Sequence, residues 1–87
     1  GIAVALEDGK IAGVVTDGDV RRAMRNHQEE VFSLNVRDIM STSPKLINNM
    51  AKLTEAGDMM RKYNIHSLIV VNDSQEFVGI IDAFACL

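Results

Sequence analysis

The sequence predicts an α+β fold in which one strand–helix–strand–strand–helix unit (β-α-β-β-α) is used twice, the first copy lacking its opening half. Three observations carry this. Short apolar runs come in pairs, each pair joined by a polar turn: 2–6 with 11–15, and 67–71 with 77–81. An offset of 66 residues lays Ile11-Ala12-Gly13-Val14-Val15 on Phe77-Val78-Gly79-Ile80-Ile81 and Ile2-Ala3-Val4-Ala5 on Leu68-Ile69-Val70-Val71, without a gap. Between the pairs lies a stretch whose apolar residues recur at helical spacing. A repeat of this kind means one supersecondary unit that needs its neighbour to cover its apolar face.

In chain order, Ile2–Leu6 is a continuous apolar run of strand length. Asp8-Gly9 within Glu7–Lys10 supplies the positive φ values of a tight hairpin turn. Ile11–Val15 returns, and Gly13 inside it points to a bulge or a close backbone approach. A helix is predicted over about 18–26, with Val20, Ala23 and Met24 on its apolar side and Asn26-His27 as its stop. Gln28–Asn35 is polar and acidic and reads as a linker. Val36–Met40 fits one helical turn, ended by Ser41-Thr42-Ser43-Pro44, and Lys45–Ile47 is extended. Asn48 or Asn49 suits the N-cap of a helix reaching about Tyr63, with Leu53, Ala56, Met60 and Tyr63 on one face. Gly57 weakens that helix, so a close packing contact there is expected; Asn64 suits its end. Ser67–Val71 and Phe77–Ile81 form the second hairpin, and Asp82–Leu87 opens a further apolar element. On this reading, residues 1–35 are the end of the first repeat plus a linker. Residues 36–87 are the second repeat, and roughly 40 residues of the first unit are expected upstream, from the repeat period.

Composition bounds the function. The 87 residues make at most one small domain, and 47% apolar content with few aromatics gives an aliphatic core, not a disordered chain. A net charge of -3 argues against a nucleic-acid surface. No apolar run approaches the ~20 residues of a membrane span, and no signal-peptide pattern opens the sequence. The single cysteine, Cys86, fits a reducing cytoplasm and stands in an apolar terminus as an inert thiol. No Ser/His/Asp or Cys/His set is available for nucleophilic catalysis, so no catalytic residue is assigned. No metal is assigned either: Asp17-Gly18-Asp19 lacks the spacing and bidentate glutamate of a calcium loop, and no Cys/His cluster suggests zinc. The five methionines read as core or interface filler.

The chemistry is concentrated at Gly13–Arg22. A strand ends in Thr16; Asp17, Gly18 and Asp19 follow, and Arg21 and Arg22 open the helix. An ionised carboxylate accepts from both hydroxyls of a ribose diol through charge-assisted bonds. Free backbone N–H groups at a helix start, with a threonine hydroxyl, suit a phosphate. Asp17 and Asp19 repel that phosphate, so Arg21 or Arg22 must offset them. The same Thr-x-x-Asp also fits a capping box, which merely satisfies the helix's own N–H groups, and the two roles can coexist.

These residues resemble a tandem pair of CBS repeats, the cystathionine-β-synthase-type module. Gly13–Asp19, Val36–Pro44, Leu53-Thr54-Glu55-Ala56 with Met60, and Ile65–Val71 carry the resemblance, which covers the whole chain. It implies a small sheet and two helices per repeat, a nucleotide held in the cleft between repeats, control of an attached enzyme or transporter, and assembly into a homodimer or higher oligomer. Thr16 and Asp19 would contact ribose and phosphate. Asp17, Arg21, Arg22, Met40, Ser41, Thr42 and His66 are further candidate lining residues; a loop role for 40–42 and an exposed or structural His66 are the plain alternatives. In the second repeat Asp82 stands at the position of Thr16 and Ala85 at that of Asp19, so one site per chain is expected.

The longer string Thr16-Asp17-Gly18-Asp19-Val20-Arg21-Arg22 is similar to the regulatory tail of bacterial arabinose 5-phosphate isomerases, whose sugar-isomerase domain precedes a CBS pair. That likeness implies an upstream isomerase domain serving Kdo and lipopolysaccharide synthesis, and an AMP-type nucleotide or CMP-Kdo as regulatory ligand, with no cofactor required. Sugar nucleotidyltransferases and inosine monophosphate dehydrogenases carry related strings. A purely structural, dimerising module with a degenerate cleft is the competing function, and the 87 residues themselves are not expected to be an enzyme.

Overall fold

A computed structural model describes residues 1–83 of the chain. Of the apolar element expected over Asp82–Leu87, residues 84–87, with Ala85 and Cys86, lie outside the described residues. The backbone divides into two compact units, Gly1–Ser43 and Pro44–Leu87.

In the first unit β1 (Ile2–Glu7) and β2 (Lys10–Thr16) pair antiparallel. Asp8 (φ 53°) and Gly9 (φ 79°) both take positive φ, the type I′ geometry whose twist matches the flanking strands. Ala5 faces Gly13 but Leu6 faces Ile11, so Ala12 is the extra residue of a β-bulge. Thr16 hands over to α1 (Asp17–His27). Of the three apolar residues expected on one side of α1, only Ala23 is buried; Val20 and Met24 are 40% and 52% exposed. Gln28 ends the helix at positive φ, its N–H donating to the Met24 carbonyl. The expected linker is in fact a 3₁₀ stretch over Gln28–Ser33, with Phe32 exposed. One helical turn, α2 (Val36–Ile39), follows. Ser41 then returns to the edge of β2: its N–H donates to the Val14 carbonyl at 2.8 Å, and its carbonyl accepts from the Val14 N–H at 2.9 Å. Gly13 permits this approach, since a Cβ there would lie 2.6 Å from the Ser41 carbonyl oxygen.

That return explains why packing and repeat divide at different places. The second sequence repeat opens at Val36, but residues 36–43 pack with the first unit.

The second unit runs β3 (Leu46–Asn48), α3 (Leu53–Tyr63), β4 (Ser67–Val71) and β5 (Phe77–Asp82), in sheet order β3-β4-β5. β3 and β4 are parallel, which requires a crossover connection; α3 supplies it. Ala56 and Met60 of α3 close over Leu68, and Ile47, Met59, Ile65 and Ile81 pack around them. The expected helical stripe is therefore buried only at its centre: Leu53 is 59% exposed and Tyr63 39%. Neither Asn48 nor Asn49 caps α3, whose N-cap is Lys52. Asn48 instead accepts the Met50 N–H at 2.8 Å, an Asx turn that competes with helix initiation. Among the described residues no close packing contact meets Gly57; a Cβ there would find the tip of Arg61, at 3.6 Å. Asn64 ends α3 in the left-handed region, as its short polar side chain allows.

The repeat holds in detail, with one correction. Val70 faces Gly79 while Val71 faces Phe77, so Val78 is bulged at the position equivalent to Ala12. Gly13 and Gly79 correspond at the offset of 66, but their partners Ala5 and Val70 correspond at 65. The gapless alignment is thus one residue out of register across the first strand, because the second turn carries one more residue.

Candidate functional site

The Thr16–Arg22 corner is built by the helix start itself. Thr16 is extended (φ -108°, ψ 169°) and forms a full capping box: the Asp19 N–H donates to Thr16 Oγ1 at 3.2 Å, and the Thr16 N–H donates to Asp19 Oδ2 at 2.8 Å. The Thr16 hydroxyl also donates to Oδ2 at 3.1 Å, and the Arg22 guanidinium pairs with Oδ1. The Asp19 side chain is only 12% exposed. Burial pushes its carboxyl up, but the two bonds from Thr16 and the one from Arg22 outweigh this and hold it below the usual carboxylate value. Asp19 is therefore an anion with one oxygen committed to the cap and the other to an exposed, movable arginine.

The remaining candidates fall as follows. Asp17 is exposed and meets the Gly1 amino group. Arg21 is exposed on α1. Met40 is half-buried against Gly13, and Ser41 and Thr42 are exposed beside β2. The Val14–Ser41 pairing thus brings the 40–42 segment alongside the strand that ends at Thr16, two stretches that the sequence could only nominate separately. His66 belongs to the second unit; its side chain is exposed and its carbonyl accepts the Ala83 N–H at 2.7 Å. Asp82, the counterpart of Thr16, is exposed at the end of β5.

An open hollow of about 170 Å³ lies on the α1 flank of this corner, lined by Asp19, Arg22, Ala23, Asn26 and His27 of α1 and by Asp38 and Ile39 of α2. Asn26, His27 and Asp38 were not nominated by the sequence. The signal was available for the first: 19, 22, 23 and 26 share one helical face. Asp38 could be found only once α2 was known to pack in the first unit; its carboxylate accepts the Asn35 N–H at 2.8 Å. Among the described residues no group of three or more His, Cys, Asp or Glu could hold a metal ion, and no helix is long and apolar enough to cross a membrane.

A duplicated hairpin with matched bulges, a parallel strand–helix–strand crossover and a capped Thr-x-x-Asp corner define a small α+β module built on one repeated unit. The family model of the CBS domain matches residues 36–86, and the chain belongs to that family. Among relatives, the "Probable arabinose 5-phosphate isomerase" of Haemophilus influenzae is 38% identical over 82 residues, covering 94% of this chain and 24% of the relative. The arabinose 5-phosphate isomerase KpsF of Escherichia coli is 30% identical over 83 residues, covering 93% and 25%. The chain thus spans about a quarter of the length of the curated relatives it matches. Among solved structures, a CBS domain protein from Pyrobaculum aerophilum complexed with AMP superposes with a TM-score of 0.86 at 25% identity, covering 98% of this chain and 65% of the other. A CBS-domain protein from Agrobacterium tumefaciens gives 0.87 at 17% identity, covering 99% and 67%.

Proposed function

We propose that the chain is a ligand-sensing CBS module that takes an AMP-type nucleotide or the nucleotide-sugar CMP-Kdo at the Thr16–Arg22 corner. The observation that carries this is the Asp19 carboxylate, held ionised at the rim of an open hollow and partnered by an arginine that is 60% exposed. A ribose diol can displace Arg22 from Oδ1 while Oδ2 keeps the cap. The released guanidinium, with Arg21, then offsets the charge that Asp17 adds near a phosphate. Met40, Ser41 and Thr42 are further contacts of this site. The solved relative complexed with AMP supports the ligand class.

The same reading puts the module in the cytoplasm, in a homodimer or higher oligomer, beside a sugar-isomerase domain of Kdo and lipopolysaccharide synthesis; likeness to the arabinose 5-phosphate isomerases supports the isomerase partner. Residues 1–35 would then close the first repeat and 36–87 form the second. Control of the enzyme requires that the ligand bind two conformational states with different affinity.

The second reading is an assembly module without ligand. It is favoured by the capping box, which by itself accounts for the pairing of Thr16 with Asp19. Calorimetric titration with AMP, CMP and CMP-Kdo separates the two. Binding that is lost in Asp19→Asn and weakened in Arg22→Ala, with both variants folded, supports sensing. No heat with any of the three at millimolar ligand supports assembly.

A further inference from the structure

The hollow between α1 and α2 holds more chemistry than the Thr16–Asp19 corner uses. It joins two stretches on either side of the 3₁₀ segment Gln28–Ser33: Asp19, Arg22, Ala23 and Asn26 before it, Asp38 and Ile39 after it. Asp38 Oδ2 accepts the Asn35 N–H, which leaves Oδ1 without a partner among the described residues. The Asn26 side chain lies one turn beyond Arg22 on the same face of α1. It is exposed and makes no hydrogen bond among the described residues.

These groups suit hydroxyls and do not suit a base. An ionised carboxylate accepts strongly from O–H donors, and a primary amide both donates and accepts. Asp38 and Asn26 together therefore match a group that carries several hydroxyls. The apolar part of the wall is small: Ala23 is buried and Ile39 half-buried. No aromatic ring is among the lining residues, so a flat base finds nothing to stack on. The volume of about 170 Å³ is more than ten times the ~10–15 Å³ that one water needs, so the hollow is not the berth of a single bridging water.

We infer, on the ligand-sensing reading, that the α1–α2 hollow receives a second polyhydroxyl group: a sugar joined through phosphate to the nucleoside whose ribose Asp19 holds. Asp38 and Asn26 are the residues that select it, so a nucleotide carrying a further sugar binds better than the bare nucleotide. Such a ligand touches α1 and α2 at once. α2 is a single helical turn with no buried residue, and the paired bonds between Ser41 and Val14 follow directly after it. The added contact therefore steadies a thinly held segment that runs on into Pro44 and β3.

Calorimetry with two matched pairs of probes, CMP against CMP-Kdo and ADP against ADP-ribose, tests this. In at least one pair the sugar-bearing member is expected to bind about tenfold or more tighter, the gain of one charge-assisted hydrogen bond. That gain is expected to fall to about twofold or less in Asp38→Asn and in Asn26→Ala. Asp38→Asn keeps an acceptor for the Asn35 N–H, and Asn26→Ala falls at an exposed helix position, so both variants keep the fold. At matched saturation, hydrogen exchange at the Met40 and Ser41 amides is expected to be slower with the sugar-bearing probe than with its bare partner. Bare nucleotides that bind as tightly as their sugar-bearing partners in both pairs overturn the inference and leave the ligand-sensing reading standing. So does a gain that both variants retain. No binding by any of the four probes ends the ligand-sensing reading and this inference with it.

Discussion

A Cβ added to Gly13 would lie 2.6 Å from the carbonyl oxygen of Ser41 and 2.9 Å from the Met40 sulfur, whereas one added to its repeat partner Gly79 meets nothing within 4 Å among the described residues. The two glycines share a bulge and a sequence context, yet only the first is required by a neighbour. Gly13→Ala is expected to push residues 40–41 off β2 and to cost about 1–3 kcal/mol, the usual penalty of overpacking. Gly79→Ala is expected to be neutral or to stabilise by up to about 1 kcal/mol, since it stiffens the unfolded chain. Urea denaturation of both variants checks this, and equal losses would contradict it.

The contrast also marks what could be read from the sequence. Both hairpins, the Asp8-Gly9 turn, α1, α3 and the Asn64 stop follow from apolar period and turn chemistry, which are local. The close approach at Gly13 was legible because few other roles suit a glycine in a strand. What escaped depended on neighbours. Asn48 looked like a cap but makes an Asx turn. Leu53 belonged to the apolar stripe of α3 but is left 59% exposed among the described residues. Asp38 came into the picture only because Ser41 bonds Val14 and carries α2 with it. The Thr16–Asp19 corner was legible in both of its meanings, which can coexist, and the capping box is formed.

Thr16 offers a direct measure of that geometry. Thr16→Ala removes the acceptor for the Asp19 N–H and the hydroxyl that donates to Oδ2. It should destabilise the first unit by about 1 kcal/mol, within the ~0.5–2 kcal/mol range of N-cap replacements, while Thr16→Ser should restore most of the loss. The amide signals of Ala23 and Val14 during denaturant titration report the first unit; amides of Leu68 and Ile69 should be unaffected. A Thr16→Ala chain as stable as the parent would mean that the box contributes nothing.

Gly57 gives a prediction of opposite sign. It sits inside α3 with ordinary helical backbone, and an added methyl would touch only the end of Arg61, a side chain free to move. Gly57→Ala is therefore expected to stabilise the second unit by about 0.5–1 kcal/mol, the difference in helix propensity. A lower melting temperature would reveal a close contact at this helix face that residues 1–83 do not supply.

The Asp19 carboxyl sets an acid limit on the first unit. Its value in the folded chain is depressed, because the bonds from Thr16 and Arg22 outweigh the upward push of burial. A depressed carboxyl contributes stability that is fully present above its unfolded value, near 3.9, and is lost as pH falls through the lower folded value. Between pH 7 and 5 both states hold Asp19 ionised, so its contribution is flat; below about pH 4 the unfolded chain takes up the proton first and the contribution declines. Asp19→Asn removes the titrating group while keeping the shape and an acceptor for the Thr16 N–H. The parent should be more stable than Asp19→Asn by a constant amount from pH 7 to 5, and the gap should narrow below about pH 4. Denaturant midpoints at the Ala23 amide, taken across that range for both chains, measure the gap. A gap that holds steady to pH 3 would mean that the folded carboxyl is not depressed and that the Thr16 and Arg22 bonds do not favour its ionised form.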